Sequence, residues 1–266
     1  MPASWWSYDP VAAIYERVSR PLLFAEPAAD LARLLAVSAN AACLDVGCGT
    51  GAVASAIVET SPTARVTGVD SSGEMLERAR NGGLSRLVRA AVPGLPFPDG
   101  AFDRVSAGFL ISHLRDYHQA LADMVRVLGP GGLLGVSTWG SATNEFQQMW
   151  QTTAESFLDR DLLGRATREA LPWEEWFSDP GRLEAALRQA GLAGVEVHHR
   201  TRRIRATAKD FLSTRDVSFT ARYLRETLGD REWARFQERV AAKLRSHSGD
   251  RIEYTRDAFF GVGRKD

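Results

Sequence analysis

Apolar residues fall in short, nearly unbroken runs at 41–46, 65–69, 85–90, 102–109 and 133–139. Such runs mark strands that are covered on both faces. Between them lie segments whose apolar positions recur at helical spacing, as in 52–58 and from Asp116 to Leu128. Strand and helix in alternation predict an α/β protein, a doubly wound and mostly parallel sheet. The punctuation agrees. Asp116 is placed to cap its helix, and Gly129 with Pro130 to stop it. Asp179-Pro180 opens a further helix that Gly191 closes. A sixth strand over 195–204, a helix capped by Thr207 with Asp210, a charge-rich helix over 230–247 and a final strand over 251–263 complete the chain. Ahead of the first strand, 10–19 and 26–38 predict two helices, with Pro10 and Pro27 at first-turn positions.

Two stretches stand outside this alternation. Residues 141–178 hold Phe146, Trp150, Phe157, Trp173, Trp176 and Phe177 at partly helical spacing. They predict a helical insertion after the fifth strand, above the sheet edge where ligands bind in open α/β folds, with some rings turned toward a substrate. The start of the chain carries Trp5, Trp6 and Tyr8, followed by Tyr15. These rings either seal the lead-in onto the domain or form a flap over a ligand. The division expected is a helical cap over 1–39 and a core over 40–266, with 141–178 as its lid.

The densest chemistry lies at 43–51. Asp45 ends the first strand, and Gly47, Gly49 and Gly51 form a turn of little bulk before the next helix. Strand, glycine turn and helix in that order let a ligand lie against bare backbone at a helix N-terminus. The spacing is not the Gly-x-Gly-x-x-Gly of dinucleotide dehydrogenases. Asp70 ends the second strand, nineteen residues after Gly51. A carboxylate there suits the two hydroxyls of a ribose. The pair of loops predicts an adenosine-type ligand.

At this point the chain resembles the class I S-adenosylmethionine-dependent methyltransferases, in particular their small-molecule branch. Leu44-Asp45-Val46-Gly47-Cys48-Gly49-Thr50-Gly51 is similar to the family's first motif, and Val69-Asp70-Ser71-Ser72-Gly73-Glu74-Met75-Leu76 to its second. Leu95-Pro96-Phe97-Pro98-Asp99-Gly100-Ala101-Phe102-Asp103 resembles the approach to the fourth strand, and Val127-Leu128-Gly129-Pro130-Gly131-Gly132 the entry to the fifth. The resemblance implies a seven-stranded, Rossmann-like sheet whose last strand runs antiparallel between the fifth and sixth. It implies S-adenosyl-L-methionine as cofactor. Gly47, Cys48, Gly49 and Gly51 would line the methionine part, with Asp45 shaping the loop. Asp70 and Ser71 would meet the ribose side. Met75, Ala91 and Val92 would frame the adenine, and Gly108 with Phe109 the amino-acid end. Ala91 is a departure, because many members carry an Asp four residues before the Leu-Pro-Phe leucine. Ser71 with Glu74 also fits a capping box for the following helix.

Methyl transfer from a sulfonium needs an acceptor lone pair held in line, close and dry. A base helps only when the acceptor must lose a proton, and His113, after the fourth strand, is the candidate. Tyr8, Tyr15 and Trp139 are the candidate acceptor contacts. The acceptor expected is a small, fairly apolar molecule methylated at O, N or C. The alternative is an enzyme that keeps the cofactor but performs a cyclisation or elimination.

Charge narrows the partners. Thirty-three basic and 33 acidic residues cancel to a formal net charge of zero. Nothing in that balance calls for nucleic acid or an acidic membrane. The basic stretch 198–205 reads as a solvated strand end. The two cysteines, Cys43 and Cys48, are poorly placed to bridge and have no metal-ligand company. No apolar stretch reaches the ~18 residues of a membrane span, and the start lacks the pattern of a secretory leader. A reduced, cytoplasmic protein without metal is the expectation, and its oligomeric state is left open.

Overall fold

The computed structural model describes residues 5–141 and 143–266. The first four residues of the expected cap and Ala142 of the expected lid lie outside them. The described strands form one seven-stranded sheet in the order β3-β2-β1-β4-β5-β7-β6. They are β1 (Ala42–Val46), β2 (Arg65–Asp70), β3 (Leu87–Arg89), β4 (Phe102–Gly108), β5 (Leu128–Trp139), β6 (Leu192–Thr207) and β7 (Arg251–Lys265). β1 to β5 pair in parallel, and β7 runs antiparallel between β5 and β6. The strand order therefore reverses beside β1, so the ends of β1 and β4 open a crevice there.

Helices cover both faces. On one side lie α2 (Ala25–Leu34) and α3 (Ala52–Thr60), which meet Cys43, Val66 and Phe260. On the other lie α5 (Tyr117–Val127) and α8 (Pro180–Gln189), packed on Val105, Leu134 and Val136. Two sheet glycines make room for them. A Cβ on Gly135 would lie 2.9 Å from Leu31 of α2, and one on Gly261 would lie 2.5 Å from Leu187 of α8. The lead-in is continuous and helical, unlike the two separate helices expected. A 3-10 turn (Asp9–Val11) runs into α1 (Ala12–Ile14), a wide π-helical segment (Tyr15–Phe24) and α2. Pro21 sits inside the π segment, where its missing N–H breaks the ordinary α-helical ladder.

Three boundaries differ from the sequence reading. β5 starts at Leu128, five residues early, because Leu128 pairs with Phe102 across a register shift before the regular ladder resumes at Leu133. α4 (Gly73–Asn81) is capped by Ser72, whose Oγ accepts from Met75 N at 3.1 Å. Ser71 lies one residue too early for the box, and its carbonyl instead accepts from Arg89 Nε. β6 and β7 are longer than expected and stay paired from Leu192 with Lys265 to Thr207 with Arg251. β5 leaves this ladder at Trp139, opposite Ala258. The remainder of β6 and β7 is a two-stranded ribbon that projects past the sheet edge. Ion pairs of Arg203 and Arg205 to Glu253 line it.

The ribbon carries a second layer. Helices α6 (Glu145–Glu155), α7 (Arg160–Ala170), α9 (Ala208–Asp216) and α10 (Phe219–Ser248) share a core with it. Phe146, Trp150, Phe211, Phe236 and Tyr254 fill that core. Gly229, with φ +71°, breaks α10 into two arms. Phe146 and Trp150 are thus turned into the layer's own core, not toward a ligand. Phe177 belongs to the main core, and its carbonyl accepts from Thr138 Oγ1 at 2.9 Å. Trp173 packs edge-on against Tyr117, and Trp176 lies exposed under Arg182.

Candidate active site

The glycine turn is built by conformation. Gly47, Gly49 and Gly51 have φ of +66°, +54° and +86°, values that side-chain-bearing residues adopt only at a cost. Gly51 caps α3 in the left-handed region. Cys48 N donates to Val69 O at 2.9 Å, which fastens the turn to β2. The Cys48 thiol packs on Gly68, is buried and is pushed well above its usual range by that burial.

Two carboxylates brace the turn. Asp45 is 1% exposed. It accepts from Ser106 Oγ at 2.7 Å and from Ala54 N at 3.1 Å, tying β1 to β4 and α3. Burial raises its pKa to about 7 against those hydrogen bonds. Asp70 accepts from Gly49 N at 2.8 Å and from Ser72 N at 2.9 Å. Its pKa is also raised, first by burial. Each oxygen keeps lone-pair capacity for a further donor. Asp9, which the sequence did not single out, reaches the same corner. Its carboxylate accepts from Ser72 Oγ and from Glu74 N.

A cavity of about 40 Å³ lies over the turn. Asp45, Gly47, Cys48, Gly49, Gly108, Phe109, Tyr15 and Phe24 are among its walls. Phe109 closes it with a left-handed backbone, φ +56°. The Phe109 N–H donates to the carbonyl of Ser137 at 3.0 Å, so β5 holds this strained residue in place. Its ring stacks on Trp139 with centroids 4.1 Å apart, and Phe24 meets both rings edge-on or tilted. Beyond the ends of β2 and β3, Met75 is buried beneath the Ser72 cap, Val92 packs at the core margin and Ala91 is exposed. Ser71 is exposed beside Asp70.

Beyond Phe109 stands a ring cluster. Tyr8 meets Tyr15 at 6.2 Å, His113 at 6.0 Å and Phe219 at 5.2 Å. His113 sits in a short 3-10 turn (Ile111–His113), and its Nδ1 is buried without a partner among the described residues. Burial, with help from Arg222, lowers its pKa to about 4. A backbone hydrogen bond at Phe109 opposes that shift, and the imidazole is neutral near pH 7. Burial raises both tyrosine hydroxyls far above their usual range, so both remain donors.

The structure thus gathers Tyr8, Tyr15, His113 and Trp139 on one side of the glycine turn. It adds Phe24, Phe219 and Arg222, which sequence reasoning missed. Phe219 and Arg222 come from α10, about a hundred residues beyond His113, and no local pattern announces them. Among the described residues there is no metal-binding group and no helix long and apolar enough to cross a membrane. Cys43 and Cys48 are both free.

Comparison with known proteins agrees with this geometry. Residues 44–136 match a family described as a methyltransferase domain. The demethylmenaquinone methyltransferase of Geobacillus kaustophilus is 30% identical over 208 residues, 71% of this chain and 88% of that protein. Among solved structures, a Haemonchus contortus phosphoethanolamine N-methyltransferase in complex with S-adenosylhomocysteine has a TM-score of 0.60 at 16% identity, covering 99% of this chain and 60% of that one. The [4+2]-cyclase SpnF has a TM-score of 0.54 at 20% identity, covering 91% and 81%; likeness at these identities speaks for the fold alone. With motif order, strand order and a relative matched over most of its length in accord, the chain belongs to the class I S-adenosylmethionine-dependent methyltransferases, with S-adenosylmethionine as its methyl donor.

Proposed function

We propose that this enzyme methylates a small, fairly apolar and planar acceptor at O, N or C, held between Phe109, Trp139 and the Tyr8–Tyr15–His113 cluster. One observation carries the reading: a glycine turn braced by Asp45 and Asp70 opens directly onto a wall of aromatic rings. The residues present fit the cofactor. Gly49 holds its backbone open, since nothing lies within 4 Å of where its Cβ would stand. Asp70 keeps lone pairs free for a ribose diol, and Ser71 borders it. Met75, Ala91 and Val92 frame the adenine side, without the carboxylate that many relatives have at position 91. Gly47, Cys48, Gly51, Gly108 and Phe109 take the methionine side.

When bound, the cofactor supplies an electrophilic methyl group, so the protein's work is positioning and exclusion of water. His113, kept neutral, can hydrogen-bond an acceptor hydroxyl through a ring nitrogen. With a pKa near 4 it orients that hydroxyl better than it removes the proton. The relative named for demethylmenaquinone acts on a molecule of this shape, and a menaquinone-type ring is one candidate. The segment before β1 serves as a cap, and the helices after β5 as a lid. Charge balance supports a non-nucleic-acid acceptor, and two buried free thiols suit the reducing cytoplasm.

The test is release of S-adenosylhomocysteine on incubation with S-adenosylmethionine and a panel of phenols, quinols and aromatic amines. Acceptor-dependent release supports the proposal. Conversion of an acceptor with no S-adenosylhomocysteine formed would favour the cyclisation or elimination chemistry instead.

A further inference from the structure

Three arginines of α9, α10 and β7 make no ion pair with any described residue. Arg256 of β7 lies flat on Trp139, its guanidinium carbon 3.7 Å from the ring centroid. Arg215 of α9 lies on Trp150 at 4.6 Å. Arg222 of α10 covers Phe219 at 4.5 Å and Tyr8 at 5.2 Å, and donates to the carbonyl of Ser7. In each case a ring takes the guanidinium face, which leaves in-plane N–H groups at the edge.

On Arg215 and Arg222, edge donors lack partners. Nε of Arg215, and Nε and Nη2 of Arg222, are buried with no hydrogen bond among the described residues. Unpaired buried donors on charged groups are costly, and in native proteins they point to a missing water or ligand. The acidic neighbours do not satisfy them. Glu174 is the carboxylate that acts on both Arg215 and Arg256, yet it makes no ion pair with either. Asp216, next in the chain, accepts from Gln237 instead, at 2.7 Å. Burial and mutual repulsion disfavour the charge on Arg256, whose pKa falls to about 10, so it still carries its proton at neutral pH. The balance in this space is three cations to two carboxylates, neither of which pairs with an arginine of the three.

We propose that Arg215 and Arg256, with Arg222 at the His113 end, bind an oxyanion carried by the methyl acceptor: an acid whose apolar body lies along Trp139, Tyr8 and Phe219. The inference rests on the methyl-transfer reading and sharpens it, because it makes the acceptor amphipathic. An oxyanion matches the guanidinium fork in two parallel hydrogen bonds. It would also hold the far end of the acceptor and so fix which atom faces the methyl group. A wholly apolar acceptor would leave a net positive charge and the unpaired Arg215 and Arg222 donors buried and unanswered.

The test uses the full chain and reads its melting temperature in sodium benzoate or inorganic phosphate, against sodium chloride of equal ionic strength, with and without S-adenosylhomocysteine. Both oxyanions are expected to raise it by about 3 °C beyond chloride, saturating in the millimolar range. The Arg215→Met, Arg256→Met double variant is expected to lose that rise while its calorimetric affinity for S-adenosylhomocysteine stays within about twofold. Should the double variant not fold, Arg215→Gln and Arg256→Gln singly are each expected to move saturation to about tenfold higher concentration. No rise beyond chloride, or an undiminished rise in these variants, would overturn the proposal. Failure to bind S-adenosylhomocysteine would count against the cofactor site alone, since the oxyanion effect is also read without it.

Discussion

Gly49 and Asp70 are where two loops become one site. The Gly49 N–H bonds the Asp70 carboxylate at 2.8 Å, and its φ of +54° aims that donor. A Cβ at Gly49 meets nothing, whereas one at Gly68 falls 2.9 Å from both Cys48 Sγ and Leu87 Cδ2. The two alanine variants therefore fail for different reasons. Gly49→Ala is expected to cost about 1 kcal/mol of backbone strain, and Gly68→Ala about 1–3 kcal/mol of overpacking, both read by urea denaturation. His113 sets a pH dependence. Its folded pKa of about 4 lies below its ordinary 6.5, so the unfolded chain takes up the proton first. The stability it permits is complete above about pH 6.5 and is lost as pH falls toward 4. Asp45, raised to about 7, works the other way, losing its contribution as pH rises from about 4 to 7. The difference between wild type and His113→Gln isolates the histidine. It should move by about 2–3 kcal/mol in the variant's favour between pH 7 and pH 4. A difference constant across that range would contradict the neutral, buried imidazole.

The elements show how far sequence carries. The strands of the sheet were legible, the central ones from the apolar residues that covered parallel strands carry and the last two from their place after the helices, although β6 and β7 run longer than expected. The glycine turn was legible too, since φ > 0 demands a particular residue type, and so was the place of Asp70 at the end of β2. Caps were less so. Ser71 and Ser72 are adjacent, and only the contact from Met75 N assigns the cap to Ser72. Ser72→Ala is expected to cost about 1 kcal/mol, and Ser71→Ala close to none, by chemical denaturation. The aromatic residues of 141–178 misled in part. Helical spacing gives the same pattern for rings that face a ligand and rings that face another helix. Trp150 belongs to the second kind, wholly buried with Phe236 edge-on at 5.4 Å. Trp150→Ala should remove about 3–5 kcal/mol, with the helical layer loosening first in hydrogen exchange. Arg215, Arg222 and Arg256 were hidden because neither α9, α10 nor the β7 ribbon carries a motif. They meet only through folding.

At the scale of the whole molecule, the architecture divides the work. The sheet and its two helical faces build the glycine turn and hold Asp45 and Asp70. The β6–β7 ribbon lifts four helices over the edge of β5 and supplies Arg215, Arg222, Arg256 and Phe219. The lead-in helix closes the remaining side, with Tyr8 and Tyr15 inside and Asp9 on the Ser72 cap. It is fastened at its middle, where Arg20 donates to the carbonyl of Thr50 and to Ser55 Oγ, both at 3.0 Å. Tyr15 and Phe24 of this segment wall the cavity over the glycine turn, so loosening the segment should ease passage of a ligand. Asp9→Ala is accordingly expected to speed release of S-adenosylhomocysteine in stopped-flow chases, with little change in melting temperature.

The most direct measurement is a calorimetric titration of S-adenosylhomocysteine into wild type and Asp70→Ala. One site per chain in the wild type, weakened at least about tenfold by loss of the carboxylate, is the result this site requires. Equal affinity in the two proteins would place the adenosine elsewhere. No binding to folded wild type would contradict the assignment of Gly47 to Gly51 and Asp70 as the cofactor site.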